Sequence, residues 1–231
     1  MFSNEMAISL IEAIRSGNIT LAKKLLAQRR FTCLDSQTAR TDGTALYWAC
    51  CLGYLGLAQS LLEQGASPNI LTSWKGSPLH AACDNNQVQV AQLLLEYGAN
   101  INQQMKSGDT ACHLAAYRGH SLLVQLLVEN GASLRVVNNK FRTPLEEAQN
   151  KAHIDIARYL SAVNKIRSES QHPYTKTDWE SQITSSVHQF VSENGNGYYS
   201  EQNSDFTVPS ENNLSLLSHS EPSSKMTFRN L

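Results

Sequence analysis

No stretch of this chain holds the ~18–20 consecutive apolar residues that a membrane-spanning helix needs, so insertion into a bilayer is not expected. The opening MFSNEMAISL lacks a basic segment followed by an apolar run, which argues against a secretory leader. An excess of one charge is also missing. The formal net charge is −1, which gives no reason to expect broad attraction to phosphate or to a membrane surface. Cysteines are few and odd in number: Cys33, Cys50, Cys51, Cys83 and Cys112 fall inside recurring apolar runs, a pattern that favours reduced thiols in cytoplasm or nucleus. No short-spaced set such as CxxC offers tetrahedral ligands, so neither a metal nor a cofactor is expected. There is no GxSxG, HExxH, phosphate-cradling GxxxxGK[ST] or dinucleotide fingerprint. Glu146 and Glu147 form a carboxylate pair, but helix neighbours point about 100° apart, unsuited to acid–base work on one bond. The pair reads as a solvated face, and an enzyme is not expected.

What the sequence does have is a period. Thr44, Ser77, Thr110 and Thr143 stand 33 residues apart, as do Gly65, Gly98 and Gly131. The pairs Leu61-Leu62, Leu94-Leu95 and Leu126-Leu127 run nearly in step. Each period carries two short apolar runs with a break between them, too short to be stable helices alone. Self-similarity at this spacing marks an array of stacked supersecondary units. Thr or Ser at the start of each unit can accept a hydrogen bond from a first-turn N–H, and Pro78 and Pro144 suit the next position. Small Ala and Cys residues on the first helix permit close approach, and the leucines of the second bury against the adjacent unit. With 41% apolar residues the chain can fill such a core.

The motifs SPLHAAC (Ser77–Cys83), TACHLAA (Thr110–Ala116) and TPLEEAQ (Thr143–Gln149), with EYGANIN and ENGASL, resemble the ankyrin-repeat signature. The resemblance covers roughly Leu10 to Leu160 and implies an all-α solenoid of about five helix–turn–helix units joined by hairpin-like loops. The expected divisions are an N-terminal capping repeat over 1–38, repeats over 39–71, 72–104 and 105–137, and a last repeat over 138–164. In the second unit Tyr47 replaces the usual His, and Trp48 reads as core. In the third, Asn86 stands where Gly normally ends the first helix, a left-handed position that Asn tolerates. In the fifth, Glu146 takes the His place and Ser161 a former core position, as a solvent-facing last repeat should show. Arg29–Thr41 holds three extra residues. The resemblance further implies that His80 and His113 tie neighbouring units by hydrogen bonds.

It also implies a protein partner held in a concave groove, touching hairpin tips and the exposed ends of first helices. By register the tips are Arg40, Thr41, Ser73, Trp74, Lys106, Ser107, Asn139 and Lys140. The helix ends are Cys51, Leu52, Asp84, Asn85, Tyr117, Arg118, Asn150 and Lys151. Trp, Tyr and Arg dominate interface energetics, which singles out Trp74, Tyr117 and Arg118. Trp74 and Tyr117 either meet a partner or pack on their own loops. Arg118 offers a planar cation able to grip a carboxylate bidentately. Asp84 among Arg118 and Lys151 argues against direct nucleic-acid binding, and a monomer is expected.

Beyond Asn164 the composition shifts. Residues 165–231 hold fourteen Ser, 5 Lys and Arg and 8 Asp and Glu, a net of −3 against +2 for the repeats. Such a segment buries too little apolar surface to offset ordering entropy and is expected to be disordered. Within it Trp179, Ile183, Val187, Phe190 and Val191 share one helical face, a pattern that fits either docking into a groove or coincidence. Leu214, Leu216 and Leu217 form a weaker cluster. The leading function is a non-enzymatic interaction module, a scaffold or adaptor with a regulatory tail. Its rivals are a substrate-recruiting adaptor of a ubiquitin-ligase complex, although no C-terminal helical box is recognisable in 165–231, and a transcriptional co-regulator.

Overall fold

The computed structural model describes residues 2–27, 34–36 and 42–169. Cys33, Arg40 and Thr41, with most of the Arg29–Thr41 loop, and the patterned segments Trp179–Val191 and Leu214–Leu217, lie outside the described residues. Ten helices and no strand occur among those described. In chain order they are α1 (Phe2–Arg15), α2 (Ile19–Ala27), α3 (Ala45–Cys51), α4 (Leu55–Glu63), α5 (Pro78–Asp84), α6 (Val88–Glu96), α7 (Ala111–Arg118), α8 (Ser121–Glu129), α9 (Pro144–Asn150) and α10 (Ile154–Glu169).

The helices form five pairs in two layers. Odd-numbered helices stack in the order α1, α3, α5, α7, α9, and even-numbered ones in the order α2, α4, α6, α8, α10. The core runs continuously through the stack. Leu46, Leu61, Leu79, Leu94, Leu123 and Leu127 are all fully buried, and Ala49, Ala82 and Ala115 line the closely packed inner layer. Cys50, Cys83 and Cys112 are buried, unpaired thiols in that layer. Burial pushes the Cys112 thiol up to about 12 and the other two higher still. Trp48 is only half-buried. Its ring packs edge-to-face with that of Tyr47, centroids 5.6 Å apart, and the Arg15 guanidinium lies 4.6 Å over its face, so it closes the seam between the first two pairs.

The period works through helix caps. Tyr47 N donates to Thr44 Oγ1 at 3.1 Å. Ser77 and His80 form a reciprocal capping box, as do Thr110 and His113. In each, the histidine Nδ1 accepts from the backbone N–H of the cap, at 3.2 and 3.1 Å. That leaves Nε2 as the protonated nitrogen. His80 Nε2 donates to Asp109 O at 3.3 Å and His113 Nε2 to Arg142 O at 3.0 Å, so each ring ties its unit to the next. Burial holds both imidazoles below their ordinary pKa, His80 at about 4.

The Glu146–Glu147 pair departs from the solvated face expected of it, because its two members have opposite fates. Glu146 is exposed and replaces histidine in the cap, its Oε2 accepting from Thr143 N at 2.7 Å and from Thr143 Oγ1 at 3.0 Å. Those bonds hold its carboxyl below the ordinary carboxylate range. Glu147, about 100° round the helix, turns inward and is only 3% exposed. Asn138 Nδ2 donates to it at 2.9 Å, and Arg142 Nη1 lies 3.6 Å from its other oxygen.

The last unit differs in two further ways. Helix α10 continues to Glu169, past the change of composition at Asn164, because Arg167 is anchored. Its guanidinium donates to Val128 O at 3.1 Å, in the last turn of α8, and to Ala132 O at 3.0 Å, just beyond that helix. At the turn after α9, Ala152 adopts φ +58° where Gly119 stands one unit earlier. A Cβ at Gly119 would come within 2.6 Å of the His153 ring, whereas no further unit packs on Ala152 among the described residues. Asn86 takes the same left-handed conformation, φ +58°, as its short polar side chain allows.

Candidate functional site: a row of linked fingers

Between consecutive pairs the chain projects as a hairpin finger. Lys75 N donates to Thr72 O and Thr72 N to Gly76 O, both at 2.9 Å. The same two bonds recur as Gly108 N to Met105 O and Met105 N to Asp109 O, then as Phe141 N to Asn138 O and Asn138 N to Arg142 O. This is a tight turn followed by one left-handed residue, the position that favours glycine. Gly108 meets that demand, but Lys75 (φ +59°) and Phe141 (φ +57°) occupy it in their own fingers. Gly108 has a second constraint, since a Cβ there would sit 2.7 Å from Asn139 N of the next finger. Phe141 belongs to the last finger described and stands 85% exposed.

The fingers are joined to one another. Lys106 N donates to Trp74 O at 2.8 Å and Asn139 N to Ser107 O at 2.9 Å. Asn139 Nδ2 adds a bond to Lys106 O at 3.0 Å, and Ser73 donates through N and Oγ to Asp42, each at 2.9 Å. At the base of the last finger, Asn138 is 5% exposed and makes four side-chain bonds. Its Nδ2 donates to Asp109 Oδ1 (2.7 Å) and Glu147 Oε1 (2.9 Å), and its Oδ1 accepts from Lys140 N (2.9 Å) and Arg142 N (3.1 Å). Trp74 therefore stands on a braced backbone with its side chain 60% exposed. It does not pack away on its own loop.

A second ladder connects the ends of the first helices, each rung spanning 34 residues. Asn85 Nδ2 approaches Cys51 Sγ at 3.5 Å. Arg118 grips Asp84 with two bonds, Nε to Oδ1 at 2.7 Å and Nη2 to Oδ2 at 3.1 Å. Lys151 Nζ lies 4.4 Å over the Tyr117 ring. Arg118 is thus not the free cation its sequence context suggests, because its bidentate carboxylate comes from the preceding repeat. Hydrogen bonding to Asp84 raises its already high pKa. Leu52 (39% exposed), Tyr117 (36%) and Asn150 complete the exposed helix ends. Hydrogen bonding to Lys151, with the charges of Lys151, Lys140 and Arg118, lowers the Tyr117 hydroxyl pKa.

Lys75 and Phe141 are absent from the residues singled out by sequence, although the signal was present. Both lie in register with Gly108, and a bulky residue in a glycine position of a repeat marks an exception worth locating. No group of His, Cys, Asp and Glu able to hold a metal ion occurs among the described residues, and no described helix is long and apolar enough to cross a membrane.

A family model described as ankyrin repeats (three copies) matches residues 10–105 and again 97–170. Repeats of this kind generally mediate protein–protein interaction and are typically not enzymes. A comparison with curated proteins returned no match. The matched span takes in most of the chain and coincides with the capped, two-layered pairs and linked fingers described above: the chain belongs to the ankyrin-repeat family.

Proposed function

We propose that the chain is a non-enzymatic scaffold or adaptor that holds a protein partner on the face formed by the fingers and first-helix ends. The observation that carries this reading is Trp74. A large aromatic side chain 60% exposed on a backbone tied to its neighbour is costly to leave in water and loses little freedom on binding. On this reading Tyr117, Arg118, Asp84, Asn85, Cys51, Leu52, Lys106, Lys140, Asn150 and Lys151 belong to the same contact surface. The Arg118–Asp84 and Tyr117–Lys151 rungs hold part of that surface in one geometry before any partner arrives. The partner-bearing chain acts as a monomer, without a cofactor, in the cytoplasm or nucleus. Unpaired Cys50, Cys51, Cys83 and Cys112 accord with a reducing compartment.

The test is affinity capture from lysate with the full chain. Trp74→Ala should weaken recovery of the main partner by at least about tenfold, roughly 1.4 kcal/mol. The thermal midpoint should stay within a degree or so of the parent. Gln59→Ala and Gln92→Ala, on exposed positions of the even-numbered helices, should leave recovery unchanged. Loss of the partner with the glutamine variants and not with Trp74→Ala refutes the assignment.

A further inference from the structure

Charges on the finger face are unevenly employed. Its carboxylates have partners: Asp42 accepts from Ser73, Asp84 is gripped by Arg118, Asp109 accepts from Ser107 Oγ at 2.6 Å and from Asn138, and Glu146 closes a helix cap. Its lysines do not. Lys75, Lys106 and Lys140 are exposed, and no carboxylate lies within 4.0 Å of any of them among the described residues. Lys151 rests on the Tyr117 ring, an arrangement that leaves its charge uncompensated. Each of the three fingers that are fully described carries one of the first three lysines, and Trp74 and Phe141 stand on the first and last of these. Phe141 adds a second asymmetry. It holds a left-handed conformation that glycine would adopt freely, while presenting 85% of its surface to solvent. Among the described residues that ring is almost wholly solvated.

Resting on the reading that this face binds a protein, the geometry points to its occupant: an extended acidic peptide segment with aromatic or bulky aliphatic side chains. Carboxylates of the segment meet Lys75, Lys106 and Lys140 in turn, one per finger, and its apolar side chains cover Trp74 and Phe141. A peptide suits the face better than a nucleic acid does. The lysines are interleaved with Asp42 and Asp109, whose partners are neutral donors and whose charge repels the unbroken charge of a phosphodiester backbone. A peptide places neutral residues opposite them and charges only where lysines stand.

The experiment pans a library of random twelve-residue peptides against the full chain. Enriched peptides are expected to be net acidic and to carry at least one Phe, Tyr, Trp, Leu or Ile. A Lys106→Glu/Lys140→Glu double variant should bind them at least tenfold more weakly, with affinity falling as salt rises. Phe141→Gly is the sharper control: it should raise the thermal midpoint while weakening the same peptides at least threefold. A residue serving only the fold would not move the two readouts in opposite directions. Enrichment of basic or uncharged peptides, no enrichment over the double variant, or no loss with Phe141→Gly overturns the proposal. So does displacement by a single-stranded oligonucleotide of equal charge as readily as by free peptide. If uncharged peptides emerge yet Trp74→Ala releases them, the binding face stands and only its acidic preference falls. If Trp74→Ala changes nothing, the face itself is wrong.

Discussion

Replacing Asn138 by Asp changes one NH2 to one oxygen, almost without changing shape, and should nonetheless destabilise the protein severely. The amide nitrogen of Asn138 donates to two carboxylates, Asp109 at 2.7 Å and Glu147 at 2.9 Å, at a position 5% exposed. In Asn138→Asp both donations become contacts between like charges, three carboxylates around one buried point. Hydrogen bonds to charged groups contribute about 1.5–3 kcal/mol each. Losing two, with partial relief as Asp109 turns toward water, gives an expected cost of about 3–5 kcal/mol. For a chain of this size that is a fall in thermal midpoint of roughly 6–20 °C. The backbone bonds from Lys140 and Arg142 to the side-chain oxygen survive the change, so the last finger should keep its turn. The assay is thermal and urea denaturation of parent and variant at pH 7 and again near pH 4, where carboxyl groups in general take up protons and the gap should narrow. A variant that unfolds at the parent midpoint at pH 7 would falsify the network.

Other expectations rest on other parts of the stack. Leu94, fully buried in α6 between neighbouring pairs, should cost about 2–5 kcal/mol as Leu94→Ala. Because no unit has a core of its own, the whole transition should shift as one; a midpoint no lower than that of Gln92→Ala contradicts the packing register. His80 should give a pH dependence of known sign. Its folded pKa, about 4, lies below the ordinary 6.5, so between those values the unfolded chain binds a proton that the folded chain does not. Stability is therefore full above about pH 6.5 and falls toward pH 4, by something on the order of 3 kcal/mol from this group. Ring-proton chemical shifts of His80 that titrate near pH 6.5 in the folded protein would contradict it. Phe141→Gly should stabilise by about 1 kcal/mol through relief of the left-handed residue, measurable as a rise in midpoint of a few degrees; a fall would mean that the ring packs somewhere in the folded chain.

Features that repeat were legible in the sequence. Thr44, Ser77, Thr110 and Thr143 announce their caps because a cap needs only its own next three residues. The bonds from His80 and His113 to the next unit follow from register and a family resemblance. Features that depend on one neighbour's identity were not legible. Glu146 and Glu147 look alike in sequence, and only the presence of Asn138 beside one of them separates a solvent-facing cap from a buried acid. Arg118 looks free until Asp84, 34 residues earlier, is placed against it. Composition put the end of the repeats at Asn164, but Arg167 finds two carbonyls of the preceding unit and carries α10 to Glu169. A change in composition measures the supply of apolar side chains and is blind to one well-placed cation.

Site-specific photocrosslinking tests the central assignment most directly. A benzophenone amino acid is introduced at Ser73 or Ser107 on the fingers, or at Gln59 or Gln92 on the opposite layer, and the full chain is irradiated in lysate. One and the same partner protein should be crosslinked from both finger positions and from neither glutamine position. A partner captured only from Gln59 or Gln92 would contradict it.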